Sequence, residues 1–308
     1  MEAKLEKESE DILSRIYGYL HEGGEGEFFR LYSSSTENIS GYLPIFELSE
    51  RKLWTLGSSF DHPINAALAG CREIKILDIC PQTTIFSYLK RAALNTLKRQ
   101  KFISFFSIYL TEPDRKKGKY NQDFLSVETF EKVKNELESL DKVSYEVWSD
   151  LIGWLNLEAK TRLFRLDDCL PGEMIERCNL YLQDDDLYKK ARYAIDKALV
   201  DITIGDCMET PIESADVIFL TNIRLYIGEK RWVQLLERAV NALNDDGQIM
   251  ADYTWGEYLT GSEFEQVVDV MLQKILIDRA FPRESANDRA TTDKILYYTN
   301  SKKKGPYL

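Results

Sequence analysis

The chain has 308 residues, 44% of them hydrophobic, with a net charge of −11 and a pI of about 5.0. That length can bury a substantial core, and the acidic balance argues against a nucleic-acid backbone as the main partner. Five cysteines without C-x-x-C spacing and only two histidines, His21 and His62, speak against a disulfide frame, a zinc site or a His-rich centre, so no metal is expected. The first residues, with Glu2, Lys4, Glu6, Lys7 and Glu8, show no apolar signal region. No run approaches the ~18 apolar residues of a membrane span. A cytoplasmic protein with free thiols is the expectation.

Residues 6–21 place Ile12, Ile16 and Tyr19 at helical spacing, and Gly23, Gly24 and Gly26 end that helix. The stretch 28–50 is aromatic-rich and broken by Ser33, Ser34, Ser35, Gly41 and Pro44. It reads as part of an N-terminal cap, residues 1–50, leading into the main domain, residues 51–308. Such a cap can cover a ligand site, and plain packing is the simpler reading. Residues 53–56 then form a buried strand that stops at Gly57. Ser58, Ser59 and Asp61 are turn formers, Pro63 suits the first turn of a helix, and Gly70 suits its end. Residues 74–79 make the next strand, with Asp78 near its carboxyl end.

A helix is expected over 82–101. The apolar run 102–110 follows Lys98, Arg99 and Lys101, which fits either docking on a lipid surface or, more commonly, a buried helix end. From 111 to about 199 the pattern is helical rather than sheet-like, an insertion with helices at 127–140, 144–156 and 187–199. Asp184, Asp185 and Asp186 precede the last of these, where helix capping outweighs metal binding. Strand periodicity returns at 200–205, 216–222 and 248–253. A helix spans 229–243, ended by Asn244, Asp245, Asp246 and Gly247. A helix at 262–276, a strand at 294–298 and a solvated tail with Lys302, Lys303 and Lys304 complete the reading.

The unit around Gly57 and Asp78 carries the chemistry. A turn that exposes N–H groups at a helix N-terminus favours an anionic ligand group. An acidic residue about 20 positions later can accept both hydroxyls of a ribose. Gly57 stands alone rather than in G-x-G-x-x-G, which favours a nucleoside carrying a carboxylate, such as S-adenosylmethionine (AdoMet), over a dinucleotide. The pattern fits both a nucleoside site and an ordinary βαβ packing unit. The strands end on Asp206, on Thr221 and Asn222, and on Asp252 and Tyr253. In an open parallel sheet these ends face one crevice.

These residues resemble a known family. Thr55-Leu-Gly-Ser-Ser-Phe-Asp-His, Ile76-Leu-Asp-Ile, Tyr88-Leu-Lys-Arg-Ala-Ala-Leu and Phe102-Ile-Ser-Phe-Phe look like the S-adenosylmethionine:diacylglycerol 3-amino-3-carboxypropyl transferases of betaine-lipid synthesis. Asn179-Leu-Tyr-Leu, Tyr188 and Phe219-Leu-Thr-Asn-Ile-Arg-Leu-Tyr look like later motifs of that family. The resemblance implies an α/β, Rossmann-like class I AdoMet-dependent methyltransferase fold with a mostly parallel seven-stranded sheet. It implies that Gly57, Ser58, Ser59 and Asp61 line the methionine end of AdoMet. Asp78, with Ile79 beside it, would hold the ribose, and Asp206, with Cys207, the adenine amino group. Asn222 would floor the site. Phe60 stands where the family usually has glycine, and a bulky side chain there would narrow the pocket or change how the methionine moiety lies.

Attack on the methyl carbon of AdoMet gives methylation. Attack on the γ-carbon of its methionine chain transfers the aminocarboxypropyl group and releases methylthioadenosine. The latter is the leading expectation, toward a hydroxyl or amine acceptor, either a small molecule or a lipid reached by peripheral membrane contact. Methyl transfer and a non-catalytic nucleoside-binding protein are the alternatives. Asp61, His62, Asp252 and Tyr253 are the candidate bases, with His62 equally a packed residue at a helix start. Tyr226 and Tyr253 could face the sulfonium, or simply pack.

Overall fold

The apolar run at Lys52–Leu56 forms strand β1, and Glu73–Asp78 forms β2 parallel to it, with Leu53 opposite Ile74 and Leu56 opposite Leu77. The structure is a computed structural model, and it describes residues 2–22, 31–164, 170–254, 272–278 and 292–300. The remaining strands are β3 (Leu199–Ile204), β4 (Ala215–Phe219), β5 (Leu243–Thr254), β6 (Gln273–Asp278) and β7 (Thr292–Thr299). They make one seven-stranded sheet in the order β3-β2-β1-β4-β5-β7-β6. The pairs β1–β2, β1–β4, β2–β3 and β4–β5 are parallel, while β7 runs antiparallel to both β5 and β6. A parallel sheet with one antiparallel strand inserted next to its edge is the Rossmann-like class I AdoMet-dependent methyltransferase fold.

The helices are α1 (Glu2–Glu22), α2 (Ile39–Tyr42), α3 (Asp61–Leu68), α4 (Pro81–Thr96), α5 (Arg99–Phe106), α6 (Glu112–Lys116), α7 (Val127–Leu140), α8 (Lys142–Trp154), α9 (Leu157–Leu163), α10 (Gly172–Cys178), α11 (Asp185–Lys197), α12 (Arg224–Ile227) and α13 (Glu229–Ala242). Alternation along the strands splits the core. Leu53, Ile74, Ile76, Val217 and Phe219 point to the face covered by α3, α4 and the inserted helices. Trp54, Leu56, Leu77, Ile218 and Ile249 point to the face covered by Trp232, Leu235 and Leu236 of α13. A strand buried on both faces has a nearly continuous apolar run, which is why β1 and β4 stand out in the sequence.

Several expectations change. The helix over 82–101 is two helices, because Leu97 and Lys98 are extended between α4 and α5. The run 244–247 is not a terminating turn. It already belongs to β5, which starts at Leu243 and shifts register against β4. Gln273–Asp278 is strand rather than the end of a helix, because Ile275 and Ile277 pair with β7 and tertiary pairing overrides local helical spacing. The earlier part of that expected helix, Cys169 and the lysine tail lie outside the described residues.

The docking reading of 102–110 also fails at its key residues. Phe102, Phe105 and Phe106 are buried among Phe86, Tyr181 and Tyr188. No helix among the described residues is long and apolar enough to cross a membrane. Asp184 caps α11, its carboxylate accepting from the backbone N–H groups of Asp186 and Leu187 at 2.9 and 2.7 Å.

Phe60 sits just before α3 with φ of 65°, the left-handed region that glycine adopts at little cost. Its side chain does not enter the crevice but is buried in the core beside Ile64. The backbone cost, about 1–3 kcal/mol for such a residue, is offset by burying the phenyl ring, worth about 1.5–3 kcal/mol.

Candidate functional site

The carboxyl ends of β1 and β2 meet at Gly57. Its N–H donates to the Leu77 carbonyl at 2.7 Å, and a Cβ on it would stand 2.6 Å from Asp78 Oδ2 and 2.7 Å from Asp78 Cβ. Only a residue without a side chain lets the Asp78 carboxylate lie against the turn. Cys80 N–H donates to Asp78 Oδ1 at 2.8 Å, and Gly205 N–H donates to the Asp78 carbonyl at 2.8 Å, which joins the ends of β2 and β3. Burial pushes the Asp78 carboxyl up to about 6 against the opposing pull of the Cys80 N–H and the Thr83 hydroxyl. Beyond β3, Asp206 accepts from Met208 N–H at 2.8 Å and faces Arg231 at 3.4 Å.

A cavity of about 180 Å³ runs over these strand ends, far larger than the roughly 10–15 Å³ that one water needs. It is lined by Gly57, Ser58, Asp78, Ile79, Asp206, Cys207, Asn222 and Tyr226, so the sequence reading and the structure bring these eight together. Asn222 Oδ1 is buried there without a hydrogen-bond partner among the described residues. An orphaned acceptor, a carboxylate against a glycine turn and a row of strand ends fit a nucleoside with hydroxyl and amino donors. Among the described residues no group of three acidic, Cys or His side chains is placed to hold a metal.

Four residues of the cap, Tyr32, Ser35, Thr36 and Glu37, also line the cavity, as do Thr83 and Arg231. The hydroxyls of Tyr32 and Tyr226 meet, joining the cap to α12, the short helix after β4. A cap over a ligand site is one of the two sequence readings of 28–50, but no residue of this wall stands out in the sequence, because it comes from upstream of β1, in a Ser-rich run that looks like any loop. The aromatic residues 28, 29 and 32 followed by the hydroxyl run 33–36 are the signal that points there.

Ser59 and Asp61 do not line the cavity. The Asp61 carboxylate is fully buried beneath it and ion-pairs Lys90 at 2.7 Å. It also accepts from Tyr181 Oη at 2.7 Å, Ser59 Oγ at 2.7 Å and Ser35 N–H at 2.6 Å. Lys90 Nζ donates to the Ser33 carbonyl at 3.0 Å and lies over the Phe106 ring at 5.5 Å. Burial pulls the Lys90 ammonium down, and Asp61 opposes it. Asp61 is thus a structural anchor for the cap, with its lone pairs consumed, and not a base.

The other candidate bases lie one layer behind the cavity as well. His62 Nε2 is 2.6 Å from Tyr42 Oη and 3.2 Å from Glu37 Oε2, all three side chains buried. Asp252 pairs Arg224 at 3.4 Å, and burial pushes its carboxyl up to about 7, with Arg224 opposing and Glu37 adding to the rise. Tyr253 Oη donates to Asp293 Oδ2 at 2.7 Å and accepts from Asn38 N–H at 3.1 Å; burial, reinforced by Asp293, keeps that phenol protonated. A residue of the right type next to the turn points inward when α3 begins there.

No family model and no curated protein matches this sequence. Among solved structures the chain is similar to the N-methyltransferase NodS from Bradyrhizobium japonicum in complex with S-adenosylhomocysteine, at 8% identity over 94% of this chain and 98% of that one, with a TM-score of 0.40. It is also similar to the rRNA methyltransferase aviRa from Streptomyces viridochromogenes, at 10% identity over 86% of this chain and 83% of that one, with a TM-score of 0.37.

Proposed function

We propose that the chain is an AdoMet-dependent transferase whose nucleoside lies along the cavity, adenine toward Asp206, ribose on Asp78 and methionine tail at Gly57 and Ser58. The observation that carries this reading is the approach of Gly57 to Asp78 at the head of a ligand-sized cavity. When bound, AdoMet supplies an electrophilic carbon on a sulfonium. The residues of the chain orient the nucleoside and exclude water from it, and positioning supplies most of the acceleration in such displacements. The motif resemblance favours transfer of the aminocarboxypropyl group, and the shared fold favours methyl transfer as the second reading. The non-catalytic alternative loses its motive, because Phe60 is packed in the core rather than in the cavity. A cytosolic setting and a hydroxyl or amine acceptor belong to the same proposal.

The test is the nucleoside released after incubation with AdoMet and cell extract, identified by mass. Methylthioadenosine is the expected product. S-adenosylhomocysteine would make the chain a methyltransferase, and the absence of either product would overturn the transferase reading.

The Asp78 carboxyl near 6 also sets a pH dependence. The ionised form accepts both ribose hydroxyls, and the protonated form gives up an acceptor. Affinity for S-adenosylhomocysteine is therefore expected to fall about tenfold between about pH 7.5 and about pH 5, following the ionised fraction of a single group. Asp78→Asn should bind weakly and without that slope. Calorimetry across this range checks both, and a flat profile in the parent protein would contradict the assignment.

A further inference from the structure

Among the described residues, Glu37 is the one cavity-lining carboxylate that comes from the cap, and its geometry is built rather than incidental. The residue is only 3% exposed. Its Oε2 accepts from Tyr42 Oη at 2.8 Å and faces His62 Nε2 at 3.2 Å, while Oε1 has no partner among the described residues. Burial, reinforced by Glu37 itself, holds the Tyr42 phenol well above its ordinary value, so Tyr42 stays a donor. The carboxylate is thus locked on one oxygen and open on the other.

Its place along the sheet is equally specific. Through His62 it touches the first turn of α3, the helix that the Gly57–Ser58 turn enters and that no side chain caps. An α-amino acid carries its carboxylate and its ammonium on one carbon, so a site that reads both needs N–H donors and a carboxylate side by side. The backbone N–H groups that follow Gly57, whose own N–H is held by the Leu77 carbonyl, supply the first and Glu37 the second. The surroundings favour a cation as well: Asp252 lies close enough for Glu37 to raise its carboxyl, and Arg224 is already paired with Asp252.

Resting on the AdoMet reading above, we propose that Glu37 holds the α-ammonium of the methionine tail, with Tyr42 and His62 as positioning residues. The cap then reads the amino-acid end of the ligand and the sheet reads the nucleoside end. Loss of the tail by transfer would release the cap from the product. Methylthioadenosine, which lacks the ammonium, would leave more readily than S-adenosylhomocysteine, which keeps it.

Calorimetry with AdoMet, S-adenosylhomocysteine and methylthioadenosine tests this without a known acceptor. In Glu37→Gln, affinity for AdoMet and S-adenosylhomocysteine should fall together by roughly 10- to 100-fold, the range for a hydrogen bond to a charged group. Methylthioadenosine should bind the variant as it binds the parent, which also shows that the cavity is intact. Unchanged S-adenosylhomocysteine affinity, an equal loss for methylthioadenosine, or a loss confined to AdoMet would each overturn the proposal. Should the variant fail to fold, the parent protein decides. Deaminated S-adenosylhomocysteine should bind it roughly 10- to 100-fold more weakly than S-adenosylhomocysteine, and equal affinities would overturn the assignment. A parent protein that binds none of these nucleosides would instead refute the AdoMet reading itself.

Discussion

Lys90→Met is expected to destabilise the protein by about 3–5 kcal/mol, the cost of leaving one half of a buried ion pair without its partner. Both groups are almost completely inaccessible, and the Lys90–Asp61 distance is 2.7 Å. Tyr181, Ser59 and the Ser35 N–H still contact Asp61 in the variant, but none of them carries a compensating charge. The Ser33 carbonyl also loses the Lys90 ammonium as a donor. Because Ser33 and Ser35 belong to the cap, nucleoside affinity should fall along with stability. The double variant Lys90→Met, Asp61→Asn should cost less than the sum of the single changes, as expected for residues in direct contact. Urea denaturation midpoints measure all three proteins. A change below about 1 kcal/mol for Lys90→Met, the range of an exposed pair, would contradict the buried-anchor account.

Gly57→Ala should abolish most nucleoside binding. The new Cβ would stand 2.7 Å from Asp78 Cβ, an atom fixed to the backbone of β2, and not merely against the far end of a flexible chain. Either the ends of β1 and β2 part or Asp78 turns away from Cys80 N–H, and both outcomes remove the carboxylate from the proposed ribose position. Two hydrogen bonds to a charged group are worth about 1.5–3 kcal/mol each, so a loss of at least about 100-fold in affinity follows. Overpacking adds about 1–3 kcal/mol of destabilisation. Gly153→Ala is the control: no atom lies within 4 Å of its would-be Cβ, and it sits in a helix far along the chain. It should leave binding unchanged. Calorimetry with S-adenosylhomocysteine compares the two, and affinity within threefold of the parent for Gly57→Ala would refute the role given to the turn.

The unit from β1 to β2 was legible in the sequence because its signals are local. An apolar run, a lone glycine, a proline at a helix start and an aspartate at a strand end each constrain their own neighbourhood. The polar ends of β3 and β4 could be placed on one crevice because parallel topology forces it. What could not be read depends on which way a side chain points. Asp61 and His62 have the residue types of acid–base groups, yet the first turn of α3 directs them into the core, where Lys90 and Tyr42 take them up. Glu37 lies in a polar run whose periodicity says nothing, and its importance comes from contacts with residues distant in sequence. Gln273–Asp278 has apolar residues that suit a helix as well as a strand, and only pairing with β7 decides between them. Phe60 was misplaced for the opposite reason: a left-handed backbone turns a side chain expected in the pocket into the core.

The proposed role of the cavity over β3, β2, β1 and β4 is to hold the nucleoside of AdoMet. Its most direct test is calorimetric titration of the full chain with AdoMet and S-adenosylhomocysteine, repeated on Asp78→Ala. Saturable binding of both at one site per chain, strongly weakened in the variant, is the predicted result. Absence of binding in the parent protein, or binding indifferent to Asp78, would contradict it.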